Sequence, residues 1–490
     1  VTRPTSIIDN YPEYEATIGI EVHVQLTTKS KMFCASARQV SEQANIHICN
    51  VCTGAPGALP VVNRQAVDYA ILAGLATNCT IAKESAFDRK HYFYPDLPKD
   101  YQITQQFKPI CLSGSVEIRL EDGSRKTIRL NRIHMEEDAG KNLHSGSSNE
   151  SFVDLNRAGT PLLEVVSEPD IKNAQEAKTY LKTLRSIVQY IGICTGNMEE
   201  GAFRADTNIS VKRKDTDILG TRVELKNINS FKFISDAIEY ELGRQLELIE
   251  EGGSVKQETR LWDTKNQMSV PMRSKEEAAD YRFFNDPDLP IIRTDDAWVE
   301  RMRAQLPELP DQKFERLTKQ SGLSEYEADI LVEDIELGNY FDAAHKISTS
   351  KQVINLILRD LLGHLKEHNI TLADCKVTPE KLAAIGELVE SGAINNRAAK
   401  EVFEQVAQTG KDPQLVVKEK GLEQIGSADE LEAIVKQIIA DNPANVEQYK
   451  QAPDDRKQRL SGFFVGQAMK KTQGKGNPKI IQELLKKHLG

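Results

Sequence analysis

Residues 17–26, Thr-Ile-Gly-Ile-Glu-Val-His-Val-Gln-Leu, alternate along their whole length. Ile18, Ile20, Val22, Val24 and Leu26 are apolar, and Thr17, Gly19, Glu21, His23 and Gln25 stand between them. A period of two predicts a strand with one buried and one polar face. Shorter runs, alternating or rich in β-branched residues, recur at 125–135, 161–167, 204–211 and 221–225, with Gly, Asn, Asp and Pro between them. The period changes at 175–191, where Leu181, Leu184, Ile187 and Val188 recur at helical spacing. This texture predicts a large mixed-sheet domain over residues 1–292.

The loop Asn-Asp-Pro-Asp-Leu-Pro at 285–290 marks its end. Beyond it the periodicity is helical, with clear amphipathic stretches at 354–365 and 382–389. A boundary near Gly410–Pro413 divides a helical domain, 293–413, from a helical tail, 414–490. In the tail, Asn477 and Pro478 predict a helix start, Asn as the cap and Pro in the first position. Ile480, Ile481, Leu484, Leu485 and Leu489 then form one apolar face. The fold class expected is α+β in the N-terminal part and all-helical after it.

Length and composition agree with that division. The 490 residues suit about three domains, and 39% hydrophobic with 28% charged residues excludes a disordered chain. No apolar run approaches the ~18 residues of a membrane span, so no membrane association is expected. The first 15 residues contain no apolar segment of the secretory-signal kind. Seven cysteines without a disulfide framework suit a reducing compartment. The expected location is the cytoplasm, or an organellar matrix or stroma after removal of a targeting segment. The net charge of −10 argues against a non-specific DNA coat, and no DNA partner is expected. That charge is uneven: residues 456–490 hold nine Lys/Arg against one acid, Glu483, leaving −18 on the first 455 residues.

Several clusters can carry chemistry. On the strand at 17–26, Glu21 and His23 share a face with Cα atoms about 6.8 Å apart. That spacing lets them share a divalent cation, or simply line a solvated sheet face. Glu136, Glu137 and Asp138, then Glu164, then Glu199, Glu200 and Asp206 add oxygen ligands of the kind Mg²⁺ prefers. In Phe-Asp-Arg-Lys-His-Tyr-Phe-Tyr-Pro-Asp-Leu-Pro-Lys, 87–99, Lys90 and Lys99 beside Tyr92, Phe93 and Tyr94 suit a phosphate or a nucleotide base. They equally suit a surface loop anchored by its aromatics. Cys34, Cys49 and Cys52 form C-x14-C-x2-C, three ligands of a zinc site whose fourth is either the poor candidate Ser36 or His47. A P-loop and a G-x-S-x-G nucleophile elbow are absent from the sequence.

These segments resemble the B subunit of tRNA-dependent amidotransferases, the GatB family. The resemblance is carried by 18–26, 87–96, His-Met-Glu-Glu-Asp-Ala-Gly-Lys at 134–141 and Asp-Leu-Asn-Arg-Ala-Gly-Thr-Pro-Leu-Leu-Glu at 154–164. Glu-Leu-Lys-Asn-Ile-Asn-Ser-Phe at 224–231, Asp-Tyr-Arg-Phe-Phe at 280–284, Gly-Phe-Phe-Val-Gly-Gln-Ala-Met at 462–469 and Asn-Pro-Lys at 477–479 extend it over essentially the whole chain.

The resemblance implies a cradle-shaped catalytic domain, a helical domain and a YqeY-like tail. It implies that ATP phosphorylates the side-chain carboxylate of Glu-tRNA(Gln), Asp-tRNA(Asn) or both, and that ammonia then displaces the phosphate. Ammonia would come from a glutaminase A subunit, in a heterotrimer braced by a small C subunit. Glu21, His23, Glu137 and Glu164 are implied as the Mg²⁺ group, with Asp206 and Glu136 as weaker candidates. Lys90 and Lys99 are implied to face ammonia and the phosphorylated substrate. The cysteines correspond to a zinc knuckle of C-x-C…C-x2-C form, with Ser36 where its second Cys would stand. Lys470, Lys471, Lys475 and Lys479, around a Gly-rich loop and a helix N-terminus, are expected to hold the tRNA body. The alternative is a tRNA-binding scaffold whose chemistry resides in a partner.

Overall fold

The computed structural model describes residues 6–39, 41–144, 150–272, 281–424, 428–472 and 474–489; Asp280 of the 280–284 motif lies outside them. The chain divides into two compact units, residues 1–312 and 313–490. The first is mixed α and β, the second helical, as the periodicity predicts.

Among the described residues the first unit contains sixteen strands. In chain order they begin with β1 (Tyr14–Gln25), β2 (Thr80–Ile81), β3 (Glu84–Ser85), β4 (Asp88–His91), β5 (Tyr101–Thr104) and β6 (Cys111–Arg119). Next come β7 (Arg125–Glu137), β8 (Lys141–His144), β9 (Ser151–Asp154), β10 (Pro161–Ser167) and β11 (Phe203–Arg213). The last are β12 (Val223–Ile228), β13 (Glu258–Asp263), β14 (Met268–Pro271), β15 (Phe284–Asn285) and β16 (Ile292–Arg293). Nine strands form one sheet, in the order β14-β13-β12-β11-β1-β10-β7-β6-β2. It is antiparallel except between β12 and β13. A smaller sheet, β15-β4-β5, lies with β5 against β7.

The central strand β1 alternates as its sequence requires. Ile18, Ile20, Val22 and Val24 are at most 1% exposed, while Glu21, His23 and Gln25 stay partly open. Helices α1 (Arg64–Ala76), α2 (Ala174–Tyr190) and α3 (Phe231–Glu250) cover the apolar side. Each buried Leu, Ile or Val contributes about 1.5–3 kcal/mol, which fixes the strand's register. Asn173 starts α2 by accepting the Glu176 N–H at 2.8 Å, and Ser230 starts α3 by accepting that of Phe233 at 3.1 Å. With helices on one side, the polar residues of β1 and its neighbours collect on the other.

The first unit runs past the loop at 285–290. β16 pairs with β3, and the Trp298 indole donates to Asp68 Oδ1 at 2.6 Å beneath the Arg64 guanidinium. Those contacts tie the segment after residue 292 to the first core, and the compact unit ends at Gln312.

In the second unit, the predicted helix 382–389 is Pro379–Glu390. The predicted helix 354–365 is interrupted: Lys351–Leu356 and Leu362–His368 flank a π-helical turn at Ile357–Leu361. Val353, Ile354, Leu356 and Ile357 all enter the core there, a wider apolar face than an ordinary helical stripe. Helix Asn396–Thr409 stops at Gly410, whose φ of +72° suits glycine, and Asp412 caps the next helix, Pro413–Lys420. One apolar cluster spans Phe314 to Val417, and a separate one Leu431 to Leu489. The last helix, Pro478–Leu489, starts where predicted: Asn477 Oδ1 accepts the Lys479 N–H at 3.0 Å, and Ile481, Leu484, Leu485 and Leu489 are buried.

Candidate active site

Strand pairing decides which polar side chains meet. His23 of β1 lies opposite Glu164 of β10, and Glu164 lies opposite His134 of β7. Directly paired residues project to the same face, and Glu136 joins them two positions further along β7. His23 Nε2 stands 3.5 Å from Glu136 Oε1 and 3.9 Å from Glu164 Oε2. One ligand atom each from His23, Glu136 and Glu164 lies within 4.8 Å of the other two. Two carboxylates and one imidazole around a point suit Mg²⁺ or Mn²⁺.

The electrostatics favour a cation. Burial, then the charge of Glu164, push the Glu136 carboxyl above the usual carboxylate range. Burial works to raise Glu164 as well. His134, by charge and hydrogen bond, followed by His23 and Lys90, outweighs it and holds that carboxyl low. Two buried acids this close repel each other, and a divalent ion relieves that repulsion.

Glu21 stands next along β1, opposite Asp206 of β11. Its Oε1 accepts from Asn208 Nδ2 at 3.0 Å, and burial, with Glu164, Glu224 and Asp206, raises its carboxyl. Lys226 bridges Asp206 and Glu224, 3.0 Å from each. Glu136, Glu164, Glu21, Asp206 and Glu224 therefore run in a row across the polar face, with Lys226 set between the last two. Glu199 and Glu200 stay exposed on a turn, where both backbone N–H groups bond to Asn197.

Glu137 leaves this face. Alternation turns it away from Glu136, toward β5, where it pairs with Lys99 and accepts the Ile103 N–H at 3.1 Å. Lys99 also borders a cavity of about 200 Å³ walled by Val51, Gly54, Tyr101 and Ile103. Gly54 has φ +68°, where an L side chain is strained, and a Cβ there would crowd the Lys99 backbone at 3.1 Å. Lys90 on β4 places its ammonium 4.8 Å from the centre of the Tyr281 ring, and its charge lowers both Glu136 and Glu164. The two lysines thus stand in different places: the Lys90 charge acts on the acidic cluster, and Lys99 borders the cavity.

The three thiols do converge. Cys34, Cys49 and Cys52 group as a metal could require, with Cys49 and Cys52 Sγ 3.9 Å apart. Ser36 Oγ lies 4.0 Å from Cys52 Sγ, whereas His47 is not part of the group among the described residues. The fully buried Lys31 directs its ammonium at Cys52 Sγ, 3.6 Å away, and at the Leu155 carbonyl, 3.1 Å away. A hydrogen bond from Cys34 leads the effects that lower the Cys52 thiol, and burial opposes them.

In the second unit, Lys470, Lys471 and Lys479 are exposed, and Lys475 is half-buried in the intervening loop. Lys471 pairs with Asp441 at 3.1 Å.

His134 is the site residue that reading the sequence missed. The parity of His-Met-Glu was the available signal, because it puts His134 and Glu136 on one strand face.

Fold and site together define a class: an antiparallel-sheet catalytic domain with a carboxylate–imidazole cluster on its open face, followed by a helical unit. The chain belongs to the GatB family: the model of the GatB/GatE catalytic domain matches residues 16–300, and that of the GatB domain residues 339–489. Among curated proteins it is similar to the B subunit of the aspartyl/glutamyl-tRNA(Asn/Gln) amidotransferase of Persephonella marina. That relative is 48% identical over 479 residues, 97% of this chain and 100% of its own. The protein of the same name from Geotalea uraniireducens is 50% identical over 481 residues, 97% of this chain and 99% of its own.

Proposed function

We propose that this chain activates and amidates the side-chain carboxylate of a misacylated tRNA, Glu-tRNA(Gln), Asp-tRNA(Asn) or both. The name shared by its relatives supplies the two tRNAs and the amidotransferase class. The observation that carries the reading in this chain is the meeting of His23, Glu136 and Glu164 within reach of the Lys90 charge.

The chemistry demands such a site. Ammonia cannot usefully displace an oxide from a carboxylate. Transfer of the terminal phosphoryl group of ATP to that oxygen turns it into a phosphate leaving group. Ammonia then attacks the carbonyl carbon, the C–O bond to phosphate breaks, and the amide forms. His23, Glu136 and Glu164 would hold Mg²⁺, which when bound would supply positive charge for the phosphoryl transfer. Glu21 and Asp206 extend the acidic row next to it, and Lys90 adds positive charge from the smaller sheet. Lys99, paired with Glu137, lines the side from which ammonia arrives.

Ammonia comes from a glutaminase A subunit, and a small C subunit completes a heterotrimer. Lys470, Lys471, Lys475 and Lys479 hold the tRNA body. The cytoplasm, or an organelle that charges its own tRNA, supplies the substrates. Among the described residues no helix is long and apolar enough to cross a membrane. Cys34, Cys49 and Cys52 would supply three of zinc's four ligands, and Ser36 Oγ lies 4.0 Å from Cys52 Sγ. Metal analysis of protein purified without added metal decides it, because a zinc content near zero removes zinc from the account.

The test of the function is co-expression with candidate A and C subunits, with glutamine, ATP and each misacylated tRNA supplied separately. Amide formation on at least one tRNA, dependent on ATP, is expected. No amide on either would overturn the reading.

A further inference from the structure

His134 has no part in the roles assigned above, yet its setting is specific. The residue is 3% exposed, with Nε2 3.0 Å from Glu164 Oε2 and 4.0 Å from Glu136 Oε2. Its Nδ1 is buried and, among the described residues, has no hydrogen-bond partner. An unpartnered buried nitrogen costs stability, so an apolar ring would suit this position better if packing were its purpose.

The two histidines that flank Glu164 differ in kind. His23 Nε2 lies 3.5 and 3.9 Å from its carboxylates, too far for good hydrogen bonds and suited to an ion between them. His134 Nε2 is at full hydrogen-bond distance, and the grouping that can hold an ion does not include it. Among the described residues no acceptor faces Nδ1, so Nε2, 3.0 Å from Glu164 Oε2, is the ring nitrogen placed to share a hydrogen with that carboxylate. A nitrogen that donates to a carboxylate has no lone pair to offer a metal.

We propose that His134 is a positioning residue for the metal site, donating its Nε2–H to Glu164 Oε2 so that the carboxylate is oriented before the ion arrives. The proposal rests on the reading of His23, Glu136 and Glu164 as the metal group. Outer hydrogen bonds of this kind are worth about 10–100-fold in metal affinity.

Manganese titration of the chain assembled with its partner subunits, read from the electron paramagnetic resonance signal of free Mn²⁺, tests it. His134→Gln places an amide N–H near the Nε2 position, whereas the amide of His134→Asn falls short of it. The expected result is an Mn²⁺ dissociation constant raised about 10–100-fold in the Asn variant and largely restored in the Gln variant. The concentration of metal needed for half-maximal activity should rise in the Asn variant while kcat at saturating metal recovers. Equal affinity in both variants, whether wild-type or weakened, would overturn the proposal. A His23→Ala variant that binds Mn²⁺ as tightly as wild type would overturn the metal reading itself, a different outcome. A measurement on the unsubstituted protein needs no variant to fold: ¹⁵N spectra of labelled histidine should show His134 with hydrogen on Nε2. Hydrogen on Nδ1 alone would overturn the proposal.

Discussion

Glu136 and Glu137 are neighbours on one strand and face different tasks. Glu136 stands beside His23 on the open side of the large sheet, while Glu137 turns toward β5 and pairs with Lys99. Glu136→Gln is therefore expected to weaken Mn²⁺ binding by about tenfold or more, and by more than Glu137→Gln does, in a titration of both variants. Equal losses would show that the two carboxylates share the ion. The phase of this pair follows from Ile133 and Met135, fully buried on the parity of Glu137, which leaves Glu136 with His134 on the polar face. Glu21 and His23 are legible, because a strict apolar alternation fixes their face without reference to any other strand. At the thiols, Ser36→Cys would add a fourth sulfur where the hydroxyl now lies, 4.0 Å from Cys52 Sγ. Zinc affinity, measured by chelator competition, is expected to rise by at least about tenfold.

At the scale of elements, the regular ones are the most legible. β1, α2 and the last helix follow from periodicity and caps that a short window contains. Pairing order does not, since β1 meets β10 and β11, strands well over a hundred residues away in sequence. The Pro-rich loop puts the end of the first unit at residue 292, but the compact unit runs to Gln312 because Trp298 reaches back to Asp68. In the helical unit, Asp342 binds Arg316 at 2.9 Å and the buried Lys313 at 3.2 Å. Burial works to raise this carboxyl, but Arg316 and Lys313 outweigh it and hold it below its ordinary value. A carboxyl lowered in the folded state contributes stability above its unfolded pKa, and that contribution fades as pH falls through the folded value. Asp342→Asn should thus lower the thermal midpoint at pH 7, with the difference from wild type shrinking below about pH 4. A difference that stays constant to low pH would contradict the ion-pair account.

For the whole molecule, the net charge of −10 conceals two opposed regions. The acidic row across β7, β10, β1, β11 and β12 takes part of the negative excess, and the final 35 residues carry the positive one. Removal of residues 456–490 should weaken tRNA binding and flatten its dependence on salt, since fewer counterions are released. An unchanged salt slope would remove the tail from the tRNA interface.

The central claim is that this chain performs the chemistry and is more than a platform for tRNA. It is tested most directly by His23→Ala in the assembled complex, with ATP, glutamine and misacylated tRNA, measuring amide formation and tRNA affinity on the same preparation. The expected result is a loss of amide formation greater than about a hundredfold with tRNA affinity unchanged. Amide formation at the wild-type rate would contradict the account and return the chain to the role of a tRNA-binding scaffold.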